Sequence, residues 1–216
     1  QISLLGKGNL AFVAPSSGLE LLAKKSRVAQ WRQVRFIPNP IDFKTVTSSH
    51  NRLQRTGKFL FVAANLGEPR KGLRQVLEAW VRDFKRVGNE LWLVGRDGKQ
   101  FHDPENGVNW LGIKNASELQ ELYEEAEALF FASTEDNAPG VIAEAVQNYL
   151  PIICLNPVMA TWLSLDGIEV QTYEDYLLHP DIQKSDEAMA ARRKFMEIRQ
   201  PAAVASQYSR LYSELS

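Results

Sequence analysis

The sequence predicts an α/β protein with a Rossmann-like parallel sheet, helices on both faces of the sheet and a helical tail at the carboxyl end. Short apolar runs of strand length recur along the chain, and they are continuous rather than alternating, as expected for strands buried on both faces. Segments with apolar residues at helical spacing lie between many of these runs. Strands that alternate with helices indicate right-handed βαβ units and therefore a parallel sheet.

The predicted strands are Ala11 to Ala14, Val34 to Ile37, Phe59 to Ala63, Leu91 to Val94, Val108 to Leu111, Ala128 to Ala132 and Ile152 to Leu155. Apolar stripes predict two of the intervening helices, and these stripes are Leu73, Val76, Leu77 and Trp80, then Leu119, Leu122, Tyr123 and Ala126. The tail, from Ser185 to Ser216, is interrupted by Pro201 and predicts two helices, or one helix broken at that proline.

Composition excludes several classes of protein. The chain has 216 residues, of which 44% are hydrophobic and 24% charged, as in an ordinary globular protein. A net charge of −1 argues against a nucleic-acid partner held by bulk charge. The single cysteine, Cys154, lies in an apolar run and is expected in the core, so the chain can form no internal disulfide. No apolar stretch approaches the roughly 20 residues that span a bilayer, and no signal peptide is visible. A start at Gln1 suggests a fragment that begins in mid-protein.

The most informative stretch runs from Glu135 to Ala145, directly after an apolar strand. It predicts a tight loop and then a helix with Pro139 at its first position and Gly140 next. Free N–H groups and the helix dipole at such a start favour an anion such as a diphosphate. Glu144 lies one turn beyond Gly140 on the same face, where an acid can accept hydrogen bonds from ribose hydroxyls. The pattern is that of a nucleotide-sugar site.

A second motif places two cations after the strand that begins at Phe59. Arg70 and Lys71 open the next predicted helix, at the mouth of the same sheet, and suit a diphosphate. A solvated basic pair is the alternative, and it stays more open for Arg70 than for Lys71. Gly95 and Gly112 follow two further strands, where each loop suits a nucleotide base or a plain turn.

No cofactor and no metal ion are expected. The three histidines, His50, His102 and His179, lie apart from these motifs, and none has a cysteine or a second histidine at metal-ligand spacing. The sequence also lacks a phosphate-loop motif, a dinucleotide-binding glycine motif and an Asp-x-Asp triple that would carry a divalent ion.

The order of these motifs resembles that of retaining glycosyltransferases of the GT-B fold, of the group 1 type, in their carboxyl-terminal, donor-binding domain. The resemblance runs from about Ala11 to about Leu155 and includes Ile37-Pro38-Asn39 and Asn109-Trp110-Leu111-Gly112. It implies transfer of a hexose from a nucleotide diphosphate sugar to an acceptor hydroxyl with retained configuration, in surface-glycan or polysaccharide synthesis.

By this resemblance, Asp136 contacts the donor sugar and Glu144, the second of two acids with seven residues between them, contacts the ribose. Gly140 and Val141 present amides to the diphosphate, and Lys71 binds it with Arg70 as a possible helper. The other expected donor-site positions are Asn65, Gly95, Gly112 and Lys114.

Three departures from the family pattern stand out. Asp136 replaces the usual glutamate, and Glu135 would take its place only if the loop shifts by one residue. Asn65 stands where the family has an arginine, unless Arg70 or Arg96 supplies that charge. Leu150 replaces a glycine. These differences bear on donor affinity rather than on the fold.

The predicted organisation has three parts. Residues 1–33 are the last strand and helix of a largely absent amino-terminal acceptor domain, or a linker; residues 34–184 bind the nucleotide sugar; and residues 185–216 cross towards the missing domain. The expected partners are the nucleotide sugar donor, a glycan or lipid-linked acceptor and that missing domain. Family resemblance implies a cytoplasmic location, peripheral to the inner face of a membrane. An epimerase of the same fold and a non-catalytic nucleotide-binding or scaffold module stay open as alternatives.

Overall fold

The computed structural model describes residues 10–29, 32–43, 56–86, 88–179 and 185–216. Its strands are β1 (Ala11–Ala14), β2 (Gln33–Phe36), β3 (Lys58–Asn65), β4 (Glu90–Arg96), β5 (Val108–Gly112), β6 (Ala128–Phe131), β7 (Ile152–Cys154) and β8 (Gln171–Thr172). Its α-helices are α1 (Ser17–Lys25), α2 (Leu73–Ala79), α3 (Ala116–Glu125), α4 (Gly140–Gln147), α5 (Pro157–Leu165), α6 (Tyr173–Leu178), α7 (Asp186–Arg199) and α8 (Pro201–Leu215). No helix within these ranges is both long and apolar enough to cross a membrane.

Six strands form one parallel sheet in the order β5-β4-β3-β6-β7-β8. The chain first builds outward from β3 to β4 and β5, and then returns to place β6 on the other side of β3. This reversal is a topological switch point, where the loops that leave the two strands diverge and open a crevice. The carboxyl ends of β3 and β6 therefore meet at the position where ligands of parallel sheets bind.

The sheet is buried on both faces, as the continuous apolar runs predict. In β3, Leu60 packs with α3 and α4 on one face, whereas Phe59 and Phe61 pack with α2 on the other. On that second face Phe59 contacts Trp80 and Phe130 with ring-centroid distances of 5.7 Å each. A single π-helical turn, Trp80–Phe84, continues α2 and brings Trp80 into this aromatic cluster.

A second, two-stranded parallel sheet joins β1 and β2, with α1 as the crossover. The sequence analysis grouped the Val34 to Ile37 run with the nucleotide-binding part, whereas β2 pairs with β1 and not with the large sheet. Consecutive strands joined by a short crossover helix pair with each other, and this local unit holds β2. The boundary after residue 33 stays a prediction. Residues 1–9 of the predicted first part lie outside the described residues.

The small sheet is fixed to the large one through α1 and α5. A Cβ atom at Gly18 would lie 2.5 Å from the Trp162 ring, so the start of α1 lies directly on that indole. Asp166, at the end of α5, accepts a hydrogen bond from the Ser17 amide at 2.7 Å and one from Arg199 at 3.4 Å. The two sheets and the tail thus share one contact point.

The tail forms two helices, α7 and α8, and the break falls at Pro201 as the sequence predicts. Arg192 of α7 is buried and donates a hydrogen bond at 3.0 Å to the carbonyl of Leu150, just before β7 of the large sheet. Val204 and Leu211 of α8 pack against Ile37 beside the small sheet. The tail therefore packs against both units.

Candidate functional site

The loops that follow β3 and β6 bring opposite charges together. Lys71 lies in a single 3-10 turn, Pro69–Lys71, and its Nζ is 2.8 Å from Oδ2 of Asp136. Both side chains are largely buried, with 19% and 17% of their surface exposed. The Thr134 amide donates to the Arg70 carbonyl at 2.9 Å and so fastens one loop to the other. This contact between loops follows from the adjacency of β3 and β6 in the sheet.

Gly72 explains how closely the Lys71 turn approaches β6. Its φ is +74°, a left-handed conformation that favours glycine. A Cβ atom at this position would lie 2.2 Å from the carbonyl oxygen of Ala132, the residue just beyond β6. Only glycine lets the turn lie against the end of the neighbouring strand, and the position of Lys71 depends on that contact.

Helix α4 begins beside this ion pair and leaves its first amides open. The sequence predicted Pro139 at the first helical position, but in the structure Pro139 is the residue before the helix, which begins at Gly140. No side chain caps this start. Within the described residues the amides of Gly140 and Val141 have no acceptor, while the Ile142 amide donates to the Pro139 carbonyl at 3.2 Å. No atom lies within 4 Å of a Cβ position at Gly140. The positive end of the helix dipole thus faces open space, as an anion site requires.

Arg70 and Glu135 connect the loop after β3 to the loop after β6. Arg70 pairs with the Glu68 carboxylate, and it donates from a terminal nitrogen to the Glu135 carbonyl at 3.3 Å. Glu135 thus contributes its backbone here, and Asp136 is the acid that faces Lys71. The geometry favours Asp136 over Glu135 as the acid of the site.

Glu144 is exposed on α4, and it accepts a hydrogen bond from the Tyr123 hydroxyl at 2.7 Å. Tyr123 is 1% exposed. Burial is the main reason that the pKa of its phenol lies well above the ordinary value, and the nearby Glu144 charge adds to the effect. The phenol therefore stays protonated and acts as a donor. The sequence analysis placed Tyr123 only in an apolar stripe and did not foresee this contact.

Asn65 ends β3 and occupies the position of the arginine expected from the family. Its Oδ1 accepts a hydrogen bond from the Gly67 amide at 2.8 Å, which closes a turn. Arg96 is its in-register neighbour on β4, and its side chain is 63% exposed. An accessible cation therefore lies one strand away from the position where the sequence lacks one.

Gly95 lies inside β4, Gly112 is the last residue of β5, and Lys114 follows β5. Gly95 is buried: a Cβ atom would lie 1.9 Å from the Ala63 carbonyl oxygen, and its own carbonyl accepts a hydrogen bond from Trp110 at 2.8 Å. This geometry gives Gly95 a packing role. Gly112 has a φ of +76° with no atom within 4 Å of a Cβ position, so its backbone is open.

Lys114 pairs with Glu118, with 3.4 Å between Nζ and Oε1. Glu118 also accepts a hydrogen bond from the Asn115 amide at 2.9 Å, as part of the capping box of α3. This backbone hydrogen bond, followed by Lys114, lowers the pKa of the Glu118 carboxyl. Lys114 thus stabilises a helix start in addition to its predicted donor-site role.

The structure has several cavities, and two of them lie at opposite ends of the strands. One of about 180 Å³ adjoins the start of α4, and Asn39, Gly140 and Arg199 are among its lining residues. A cavity of about 350 Å³ lies instead at the amino-terminal ends of the strands, near Gly57 and Glu127. Ligands of open parallel sheets bind at the carboxyl ends, at the switch point, so we assign the site to the crevice beside Lys71 and Asp136. The smaller cavity adjoins that crevice at Gly140, and neither Lys71 nor Asp136 is among the residues that line it.

The described residues contain no group of three or more His, Cys, Asp or Glu side chains placed to hold a metal ion. His50 lies outside the described residues. The metal-independent chemistry expected from the sequence stays a prediction.

The chain is an α/β protein whose parallel sheet has an open helix start and a lysine at its switch point. The sequence model of the family Glycosyl transferases group 1 matches residues 57–192. Because this match covers well over half of the chain, the chain belongs to that family. A search of curated proteins gave no match.

This chain shares its fold with the carboxyl-terminal half of solved GT-B glycosyltransferase structures. A mutant of S. aureus TarM in complex with Fondaparinux, alpha-GlcNAc-glycerol and UDP has a TM-score of 0.70 and 14% identity, over 98% of this chain and 45% of that chain. The lipopolysaccharide outer core galactosyltransferase WaaB has a TM-score of 0.65 and 20% identity, over 94% and 61%. The pneumococcal O-GlcNAc transferase GtfA in complex with UDP and GlcNAc has a TM-score of 0.62 and 15% identity, over 95% and 45%. The chain thus spans between 45% and 61% of these three structures.

Proposed function

We propose that this chain is the donor-binding half of a retaining glycosyltransferase and that it binds a nucleotide diphosphate sugar at the switch point of its sheet. The ammonium of Lys71, 2.8 Å from Asp136 and beside the open first turn of α4, is the observation that carries this proposal. Family membership supports it. The descriptions of two similar structures, TarM and GtfA, name UDP as a bound ligand.

The proposed chemistry is mainly electrostatic. The bond between the anomeric carbon and the β-phosphate oxygen breaks, a bond to the acceptor oxygen forms, and the acceptor proton passes to the departing diphosphate. Negative charge grows on that diphosphate, where Lys71 and the amides of Gly140 and Val141 stabilise it. Asp136 orients the sugar hydroxyls. Protein cations and amides provide this stabilisation, so the proposal includes no metal ion.

The acceptor side of the reaction belongs to the part of the fold that this chain does not span. We include a glycan or lipid-linked acceptor, a role in surface-glycan synthesis and a cytoplasmic location peripheral to a membrane in the proposal. One similar structure is described as a lipopolysaccharide galactosyltransferase, which supports a surface-glycan role.

A binding module without transferase activity is the second candidate. Asn65 favours it, because the site lacks a cation that the family motif supplies at that position. Product analysis on the full-length protein separates the candidates. A transferase joins the sugar to an acceptor, an epimerase converts the donor sugar without an acceptor, and a binding module does neither.

Titration calorimetry with UDP, GDP and ADP tests the donor site. We expect at least one of them to bind, and Lys71→Ala to weaken that binding by about 10- to 150-fold, because the variant loses a charged hydrogen bond to the diphosphate and leaves the Asp136 carboxylate facing it unpaired. The matched control is Lys58→Ala, a lysine at the opposite end of β3 that pairs with Glu125. Affinity that is unchanged in Lys71→Ala, or lowered equally in both variants, would remove the basis of the proposal.

A further inference from the structure

Helices α3 and α4 meet through two pairs of polar side chains. The Tyr123 hydroxyl donates to Oε2 of Glu144 at 2.7 Å. One turn earlier on α3, the Gln120 side chain exchanges hydrogen bonds with the side-chain amide of Asn148. Asn148 also donates to the Glu144 carbonyl at 2.9 Å. Both the backbone and the carboxylate of Glu144 are therefore held from one side.

Tyr123 is suited to fix the direction of that carboxylate. Its ring is 1% exposed and packs in the core with Leu60 and Leu129, so it has little freedom to rotate. The rigid ring brings its hydroxyl to the surface of the core, where Glu144 is exposed to solvent. An exposed glutamate otherwise samples several rotamers and loses side-chain entropy when it binds a ligand. A buried donor at 2.7 Å removes much of that loss before the ligand arrives.

The second oxygen of the carboxylate remains available. Among the described residues, Oε1 of Glu144 accepts no hydrogen bond and pairs with no cation. Glu144 lies one turn beyond Gly140, on the same helix face as the open amides. A ligand whose diphosphate binds at the start of α4 therefore places its adjoining sugar ring within reach of Oε1.

We propose that Tyr123 is a positioning residue that holds one oxygen of Glu144 so that the other recognises the ribose hydroxyls of the nucleotide. This inference rests on the proposed donor site. It makes the preference for a ribonucleotide over a nucleotide without ribose hydroxyls depend on a core residue that never touches the ligand.

A purely structural explanation competes with this role. A buried phenol needs a hydrogen-bond partner, and Glu144 could be only the acceptor that satisfies it. The two explanations differ in what the removal of the hydroxyl changes. A structural role predicts lower stability with an unchanged ratio of ribonucleotide affinity to dideoxynucleotide affinity. Positioning predicts a change in that ratio.

The experiment compares each nucleoside diphosphate that binds, among UDP, GDP and ADP, with its 2′,3′-dideoxy form by titration calorimetry on the 216-residue chain. In Tyr123→Phe we expect ribonucleotide affinity to fall by about three- to tenfold, the value of one hydrogen bond, with dideoxynucleotide affinity unchanged. The control is Gln120→Ala, which removes the other α3–α4 contact and leaves the Tyr123 contact in place. It should lower the melting temperature and keep the wild-type ratio.

A second arm uses Glu144→Ala, an exposed position at which truncation opens no cavity but removes the acceptor of the Tyr123 hydroxyl. In that background, Tyr123→Phe should change the affinity ratio no further, because the phenol acts only through the carboxylate. The positioning role would be overturned if wild type and Tyr123→Phe had the same ratio of ribonucleotide to dideoxynucleotide affinity. Additive effects of Tyr123→Phe and Glu144→Ala on that ratio would also overturn it. Neither result would contradict the donor site. Absence of nucleotide binding to the wild type would instead overturn the donor site, and this inference with it.

Discussion

Neutralising Asp136 should tighten the binding of a nucleotide diphosphate that carries no sugar. Lys71 pairs with Asp136 at 2.8 Å, so a diphosphate must compete for that ammonium. Asp136 also repels the incoming phosphates. Asp136→Asn keeps the shape of the side chain and removes both effects, so UDP affinity should rise while sugar transfer by the full-length protein falls.

The burial of the pair sets the magnitude. Opposite charges about 4 Å apart attract by about 4 kcal/mol at the effective dielectric of a protein surface, before desolvation offsets much of it. Both side chains are less than one-fifth exposed, so solvent screens the pair only in part. A residual of about 1–2 kcal/mol is a reasonable net value, and it corresponds to an increase in UDP affinity of about five- to thirtyfold.

Titration calorimetry at fixed ionic strength measures the change, and Glu135→Gln is the matched control. This variant alters net charge by the same amount at the adjacent residue, but only the backbone carbonyl of Glu135 contacts the other loop. We expect less than a twofold effect from it, as for an exposed charge. Weaker UDP binding in Asp136→Asn would refute the reasoning, because it would mean that Asp136 holds Lys71 in its binding position rather than competing for it.

Three further predictions follow from single positions. Gly72→Ala should lower the free energy of unfolding by about 2–4 kcal/mol in chemical denaturation and weaken UDP binding, because a Cβ would lie 2.2 Å from the Ala132 carbonyl oxygen. The control is Gly167→Ala, at a similar φ with open space around the Cβ position, which should lower the free energy of unfolding by only about 1–2 kcal/mol. Asn65→Arg should raise UDP affinity about tenfold in calorimetry, by supplying the missing charge, and an unchanged affinity would show that the site needs no second cation. Cys154 should resist iodoacetamide at pH 8 in the native protein and react in urea, since burial raises its pKa to about 11; rapid native alkylation measured by mass spectrometry would contradict this.

The sequence was most informative where local chemistry and strand order act together. Lys71 and Asp136 each follow a continuous apolar strand, and the parallel-sheet rule places both at the carboxyl edge. The α/β class and the break at Pro201 have equally local causes. That β3 and β6 are neighbours is a property of the whole sheet, and the 2.8 Å contact between the two charged residues depends on it.

Long-range packing set the limits of prediction. Tyr123 falls in an apolar stripe, and only the approach of α4 gives its hydroxyl an acceptor. Gly95 resembles a turn glycine in sequence, whereas contact with the Ala63 carbonyl requires it inside the sheet. The two-residue strand β8 begins with the polar Gln171 and offers no apolar run to detect.

At the proposed donor site, we expect binding to exchange one set of partners for another. Lys71 is paired with Asp136 and Arg70 is paired with Glu68, so each cation must leave a carboxylate before it can bind a phosphate. The open amides at Gly140 and Val141, by contrast, gain hydrogen bonds without losing any within the described residues. The start of α4 therefore contributes to binding without giving up a partner, whereas Lys71 must leave Asp136 to contact the diphosphate. Lys71 contributes the difference between its interaction free energy with the phosphate and that with the Asp136 carboxylate. This difference grows as negative charge develops on the leaving diphosphate. We therefore expect Lys71 to stabilise the transition state more than the ground-state complex.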